Sequence, residues 1–137
     1  HVETLEDRVE HLGRIRALQD ECQPFSAFVT WNFQPEDTNL PIPVKASGAD
    51  YLRTVAVSRI FLDNFQNLQV SILTQGPKIA QAALNYGAND FGSIMIEENV
   101  VSSAGTTFRM GTTDMRRLIA DLGLEPRQRD NWYRLLD

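Results

Sequence analysis

Cysteine is almost missing from this chain: Cys22 is the only one among 137 residues. A single thiol excludes an intrachain disulfide framework and a multi-cysteine metal site, and it fits a reducing compartment, the cytoplasm. No apolar run approaches the ~18 residues that suggest a membrane-spanning helix, and no basic start precedes an apolar run as in a signal peptide. Basic residues do not cluster, and the formal net charge is −5. A nucleic-acid partner is therefore disfavoured, because phosphate binding needs a basic face. Arg116, Arg117, Arg127, Arg129 and Arg134 in the tail read as solvated surface offset by nearby acids; the sharper alternative is one or two of them gripping a carboxylate or phosphate. Also missing are a glycine-rich phosphate loop, a Gly-x-Ser-x-Gly elbow, a His-Glu-x-x-His pair and a Cys-x-x-Cys pair.

What is present is ordinary globular material, 42% hydrophobic and 23% charged, and residues 1–137 are enough for one compact unit. Thr4-Leu5-Glu6-Asp7 resembles a capping box, and Leu5, Val9, Leu12, Ile15 and Leu18 follow at helical spacing until Pro24. Cys22, after that run, is expected to be a partly buried structural thiol. Residues 26–33 form a mostly apolar strand candidate, and prolines 35, 41 and 43 make residues 34–48 a long loop. A helix is expected over 50–64 and a strand over 68–74. A helix opened by Gly76-Pro77 and closed by Gly87 follows, then a strand over 91–96. A last helix begins at Thr112 and ends at Gly123.

Strands alternating with helices imply an α/β fold of parallel strands with crossover helices. An eight-stranded barrel needs about 250 residues, and the strand that should feed the first helix is absent. The expectation is a half-barrel excised from a longer protein. Its open sheet edges would be completed by a missing N-terminal half or would promote self-association.

In parallel α/β sheets ligands bind at the carboxyl ends of the strands. That rule selects His1 and Glu3, Trp31 with its neighbours up to Gln34, Thr74-Gln75-Gly76, and Glu97-Glu98-Asn99 followed by Ser102, Ser103 and Thr106. Each has a plain alternative. His1 and Glu3 can be an exposed terminus and a helix-start acid, Trp31 can be core, and Gln75 can shape a turn. Of the adjacent glutamates only one can face a strand-end mouth. A carboxylate there can bind ribose hydroxyls, accept from a cofactor amine or act as acid/base.

The same residues carry a family resemblance. Thr30–Leu40, Tyr51–Phe65, Thr74–Lys78 and Gly87–Gly92 resemble segments of the cyclic dehypoxanthinyl futalosine synthases, radical-SAM enzymes of menaquinone biosynthesis. Met95–Thr106, with Glu97-Glu98-Asn99-Val100-Val101, is the most specific stretch. His1–Thr4 and Pro126–Asp130 with Tyr133 match the flanks, and Ile72-Leu73 departs from the Trp-Val pair of the family. The resemblance implies the C-terminal half of a radical-SAM (β/α) barrel. Its full-length form would hold a 4Fe–4S cluster and S-adenosylmethionine and convert dehypoxanthine futalosine to its cyclic product. The cluster's cysteine motif would lie in the absent half, so this piece alone is expected to be inactive. The resemblance assigns no role to individual strand-end residues; the substrate hydroxyls would suit Glu97 or Glu98, Gln75 and Asn99. The alternatives are a sister enzyme of the aminofutalosine synthase or deazaflavin-forming type, or a non-catalytic binding module derived from such a barrel.

Overall fold

The computed structural model describes residues 2–35, 39, 45–93 and 110–136. Helix α1 spans Leu5–Cys22. Its start is set by a reciprocal cap: the Asp7 N–H donates to Thr4 Oγ1 (3.1 Å), and the Thr4 N–H donates to Asp7 Oδ2 (2.8 Å). Two of the backbone donors that a helix start leaves unpaired are thereby satisfied. Gln23 closes the helix in the left-handed conformation, at φ 48°. Gln19, buried at the helix end, then holds the turn through both ends of its amide, exchanging hydrogen bonds of 3.1 Å with the Phe25 backbone. The apolar stripe of α1 is covered only in part. Leu12 is buried, whereas Leu5 is 72% and Val9 53% exposed. Cys22 is exposed rather than partly buried, because it sits on the outer side of the last turn, where its thiol donates to the Leu18 carbonyl.

Strand β1, Phe28–Val29, pairs in parallel with β2, Leu68–Gln69, with Phe28 opposite Leu68 and Val29 opposite Gln69. Asp90 extends the sheet through a parallel bridge to Gln69. The crossovers are helical: α2, Gly48–Phe61, joins β1 to β2, and α3, Ile72–Asn85, joins β2 to the Asp90 segment. Helix α2 opens with a second reciprocal cap, Ser47 with Asp50. Helix α4 spans Thr112–Ala120, and Gly123 ends its last turn at φ 74°. The alternation and the parallel pairing match expectation, and together they form a small parallel sheet with helices packed on it. Among the described residues no helix is long and apolar enough to cross a membrane.

The strands are shorter than the apolar runs suggested. The run expected as a strand over 68–74 stops at Gln69, and Ile72 already begins a helix. The cause lies beneath the chain: the Ser71 N–H donates to the buried Tyr51 hydroxyl (2.9 Å), and the Ser71 and Thr74 hydroxyls bond each other at 2.7 Å. These bonds favour a helical turn. Gly76, at φ 75° and ψ 168°, then breaks that turn from the stretch opened by Pro77. Of the strand expected over 91–96, the bridge falls one residue earlier, at Asp90, and residues 94–96 lie outside the described residues.

One face of the sheet makes the main core. Leu68 and Val70 are buried with Tyr51 and Val55 of α2, Ala80 and Ala83 of α3, and Met115 of α4. A second cluster, Leu12, Leu62 and Phe65, joins α1 to the end of α2, with the Phe25 ring stacked on Phe65 at 5.6 Å between centroids. Side chains alternate along a strand, so Gln69, between two core residues, is turned to the opposite face together with its register partners Val29 and Asp90. That second face is polar at Gln69 and Asp90, and it is where the site lies.

Candidate functional site

The carboxyl ends of the strands enclose a cleft of about 70 Å³ lined by Val29, Trp31, Gln69, Ser71, Gly92 and Ser93, with Ile72 and Leu73 of the first α3 turn. Trp31 follows β1 by two residues and is 57% exposed on this cleft, which answers the question of core against surface in favour of surface. Helix α3 begins immediately after Ser71, so the bond from Ser71 to the Tyr51 hydroxyl holds one rim of the cleft in place. Burial pushes the Tyr51 phenol above its usual value, with the Ser71 N–H pulling it the other way, and the group stays neutral as an acceptor.

Behind the cleft, on the same face, sits a polar clasp. Arg129 from the C-terminal segment places Nη2 2.6 Å and Nε 3.1 Å from Asp90 Oδ2. Both side chains are mostly buried, at 20% and 10% exposure. The guanidinium lies 4.1 Å from the ring centroid of Tyr133, within cation–π range. Asp90 Oδ1 accepts from the Gly92 N–H at 3.0 Å. The clasp thus ties the C-terminal segment, the third chain of the sheet and the cleft wall at Gly92 into one unit. The Gln69 side chain joins them: its Oε1 lies 3.5 Å from Arg129 Nη2 and 3.4 Å from the Tyr133 hydroxyl. Burial, and then the Asp90 carboxylate, push the Tyr133 phenol above its usual range, so the hydroxyl keeps the proton it donates.

A larger groove of about 390 Å³ lies between α1 and α2, over Phe28 and Leu12. Its lining comes from Glu3, α1, α2 and Phe28 rather than from the carboxyl ends of the strands, and the buried Ser58 hydroxyl in it has no partner among the described residues. Glu3 and Arg8 pair across its rim at 3.0 Å, and Arg8 also reaches Thr54 at 3.4 Å. Size alone does not mark a site, and the strand-end cleft has the polar groups and the topological position that chemistry requires.

Of the residues expected at the strand ends, Trp31 lies on the cleft, whereas Glu3 belongs to the α1–α2 groove. Gln75 sits on the first turn of α3, its amide 3.3 Å from Thr74 Oγ1, beyond the residues that line the cleft. His1, Glu97, Glu98, Asn99, Ser102 and Thr106 lie outside the described residues. Gln69 and Gly92 were not singled out from sequence. The signal was a lone amide between Leu68 and Val70, which alternation turns away from the core.

The donor set does not fit a four-iron cluster. Such clusters take several cysteine thiolates, this chain has Cys22 alone, and among the described residues no three His, Cys, Asp or Glu side chains converge as a metal site would require.

Parallel strands crossed by helices define the class: an α/β unit whose strand-end cleft lies on the face opposite its helices. The chain belongs to the family described as the CofH/MqnC C-terminal region, whose profile matches residues 22–137. It is 48% identical over 134 residues to a cyclic dehypoxanthine futalosine synthase of Halalkalibacterium halodurans, covering 98% of this chain and 36% of that protein. A protein of the same name from Streptomyces coelicolor is 45% identical, over 96% of this chain and 33% of its own length. An aminodeoxyfutalosine synthase of Thermus thermophilus is 38% identical, over 98% of this chain and 38% of its own. The chain thus spans about a third of the length of the curated relatives it matches.

Proposed function

We propose that this chain is the substrate-side, C-terminal part of a radical-SAM cyclase that converts dehypoxanthine futalosine to cyclic dehypoxanthine futalosine on the futalosine route to menaquinone. The observation that carries the reading is the 48% identity to a cyclic dehypoxanthine futalosine synthase over 98% of the chain, against 38% to an aminodeoxyfutalosine synthase over the same span. In this reading the remainder of the enzyme continues the sheet from the edge of β1 opposite β2 and closes it into a barrel. The exposed Leu5 and Val9 on α1 support that, since an apolar stripe at this position needs cover. The polar face of Gln69, Asp90 and Trp31 then becomes interior. With Cys22 as its only thiol, this chain leaves the 4Fe–4S cluster to residues beyond it, and its own side chains bind and orient the substrate.

The test uses the full-length protein after iron–sulfur reconstitution, supplied with S-adenosylmethionine and either dehypoxanthine futalosine or the precursor that aminofutalosine synthases use. The expected result is cyclic product and deoxyadenosine with the first substrate alone. Turnover of the second alone would make the protein a sister enzyme.

A further inference from the structure

Gln69 holds its amide in one orientation. Arginine has only donors, so the amide atom facing Arg129 Nη2 must be the oxygen, and the Tyr133 hydroxyl donates to that same oxygen. The nitrogen is thereby turned the other way, toward Gly92. A β-carbon on Gly92 would lie 3.2 Å from Nε2, closer than is comfortable, so the absence of a side chain there is what leaves the amide its place. Gly92 and Gln69 both line the strand-end cleft, and among the described residues Nε2 has no hydrogen-bond acceptor. A polar donor at the wall of a cleft, with its acceptor end turned toward Arg129 and Tyr133 at 3.5 and 3.4 Å, is placed to meet an incoming acceptor.

We infer that Gln69 is a substrate-binding residue whose Nε2 donates to an oxygen acceptor, a carboxylate or carbonyl on a planar ring that packs against Trp31, and that Arg129 and Tyr133 are positioning residues that aim it. The cleft suits this division. Trp31 supplies a flat apolar wall, and at about 70 Å³ the space between the strand ends takes the polar end of a ligand rather than the whole. This assignment rests on the proposed function, and it adds a residue and a hydrogen-bond polarity that the family membership does not supply.

The experiment measures KM and kcat of the full-length enzyme for dehypoxanthine futalosine in Gln69→Met, Tyr133→Phe and the double variant. Methionine keeps the length of the side chain and removes the donor. Loss of one hydrogen bond corresponds to roughly a tenfold rise in KM, with a smaller change in kcat. Tyr133→Phe, which removes one hydroxyl and keeps the ring under Arg129, is expected to raise KM about threefold in the parent and to have no further effect on KM in the Gln69→Met background, since the hydroxyl meets the substrate-facing amide only through Gln69 Oε1. An unchanged KM in Gln69→Met overturns the assignment while leaving the cyclase reading intact. Additive effects in the double variant overturn the positioning role of Tyr133. If Gln69→Met fails to fold, Tyr133→Phe with unchanged KM overturns the assignment by itself. Absence of turnover in the parent enzyme is a different outcome, because it removes the cyclase reading itself.

Discussion

The Gln69 amide nitrogen lies where a side chain on Gly92 would crowd it: a β-carbon there would sit 3.2 Å from Nε2 and 3.6 Å from Cδ. Gly92 also has φ 83°, a conformation that strains any residue with a β-carbon. Gly92→Ala is therefore expected to cost about 1–3 kcal/mol of stability and to raise KM for the substrate by displacing the amide. Thermal unfolding of the full-length enzyme, together with steady-state kinetics, checks both. A variant with unchanged stability and unchanged KM would show that the close approach has no consequence.

The Arg129–Asp90 pair is mostly shielded from water, so removing one partner leaves the other charge poorly solvated. Asp90→Asn is expected to destabilise the enzyme by about 2 kcal/mol and to loosen the C-terminal segment. Arg129→Lys is expected to keep part of the stability, since the charge remains, but to lose the two-nitrogen grip on the carboxylate and the stack on Tyr133. Limited proteolysis after residue 124 measures the loosening. Equal resistance in parent and Asp90→Asn would argue against the clasp.

Tyr51 shapes the rim of the cleft from below. Tyr51→Phe leaves the buried Ser71 N–H without its 2.9 Å acceptor, and a buried donor left unpaired costs about 1–3 kcal/mol. Denaturant unfolding is expected to report a loss in that range with little change in the slope. A loss below about 0.5 kcal/mol, within surface-substitution scatter, would mean that water replaces the phenol.

Much of this fold can be read along the chain, and the parts that cannot have local causes. The start of α1 is legible because Thr4 and Asp7 stand at capping-box spacing, and the cap forms. The end of β2 is not legible. Residues 68–72 alternate apolar and polar as a longer strand would, and the turn into helix at Ile72 depends on Tyr51, twenty residues earlier, accepting from Ser71. Trp31 is found by the rule that ligands gather at strand ends. Gln69 escapes that rule because it lies within the strand, and its importance arises from Arg129 and Tyr133, sixty residues away in sequence. Glu97, Glu98 and Asn99, the expectations drawn from the most specific stretch, lie outside the described residues.

Both reciprocal caps depend on ionised aspartates. The Thr4 backbone and then its hydroxyl hold Asp7 below its usual 3.8, and the Ser47 hydroxyl and then its backbone do the same for Asp50. A carboxyl whose folded value is depressed stabilises the fold above its unfolded value and ceases to do so as pH falls through the folded value. The stability difference between the parent and an Asp7→Asn/Asp50→Asn variant is therefore expected to be full at about pH 6 and to shrink as pH falls below the usual carboxylate range. A difference that stays constant across that range would contradict the ionised caps.

The central claim is that the polar face at the strand ends of this chain binds the substrate. Hydrogen–deuterium exchange of the full-length enzyme with and without dehypoxanthine futalosine tests it most directly. The account predicts that the substrate slows exchange at residues 29–31, 69–73 and 91–93, with the α1–α2 groove unaffected. Slowing confined to α1 and α2, or no change at those three segments under saturating substrate, would contradict it.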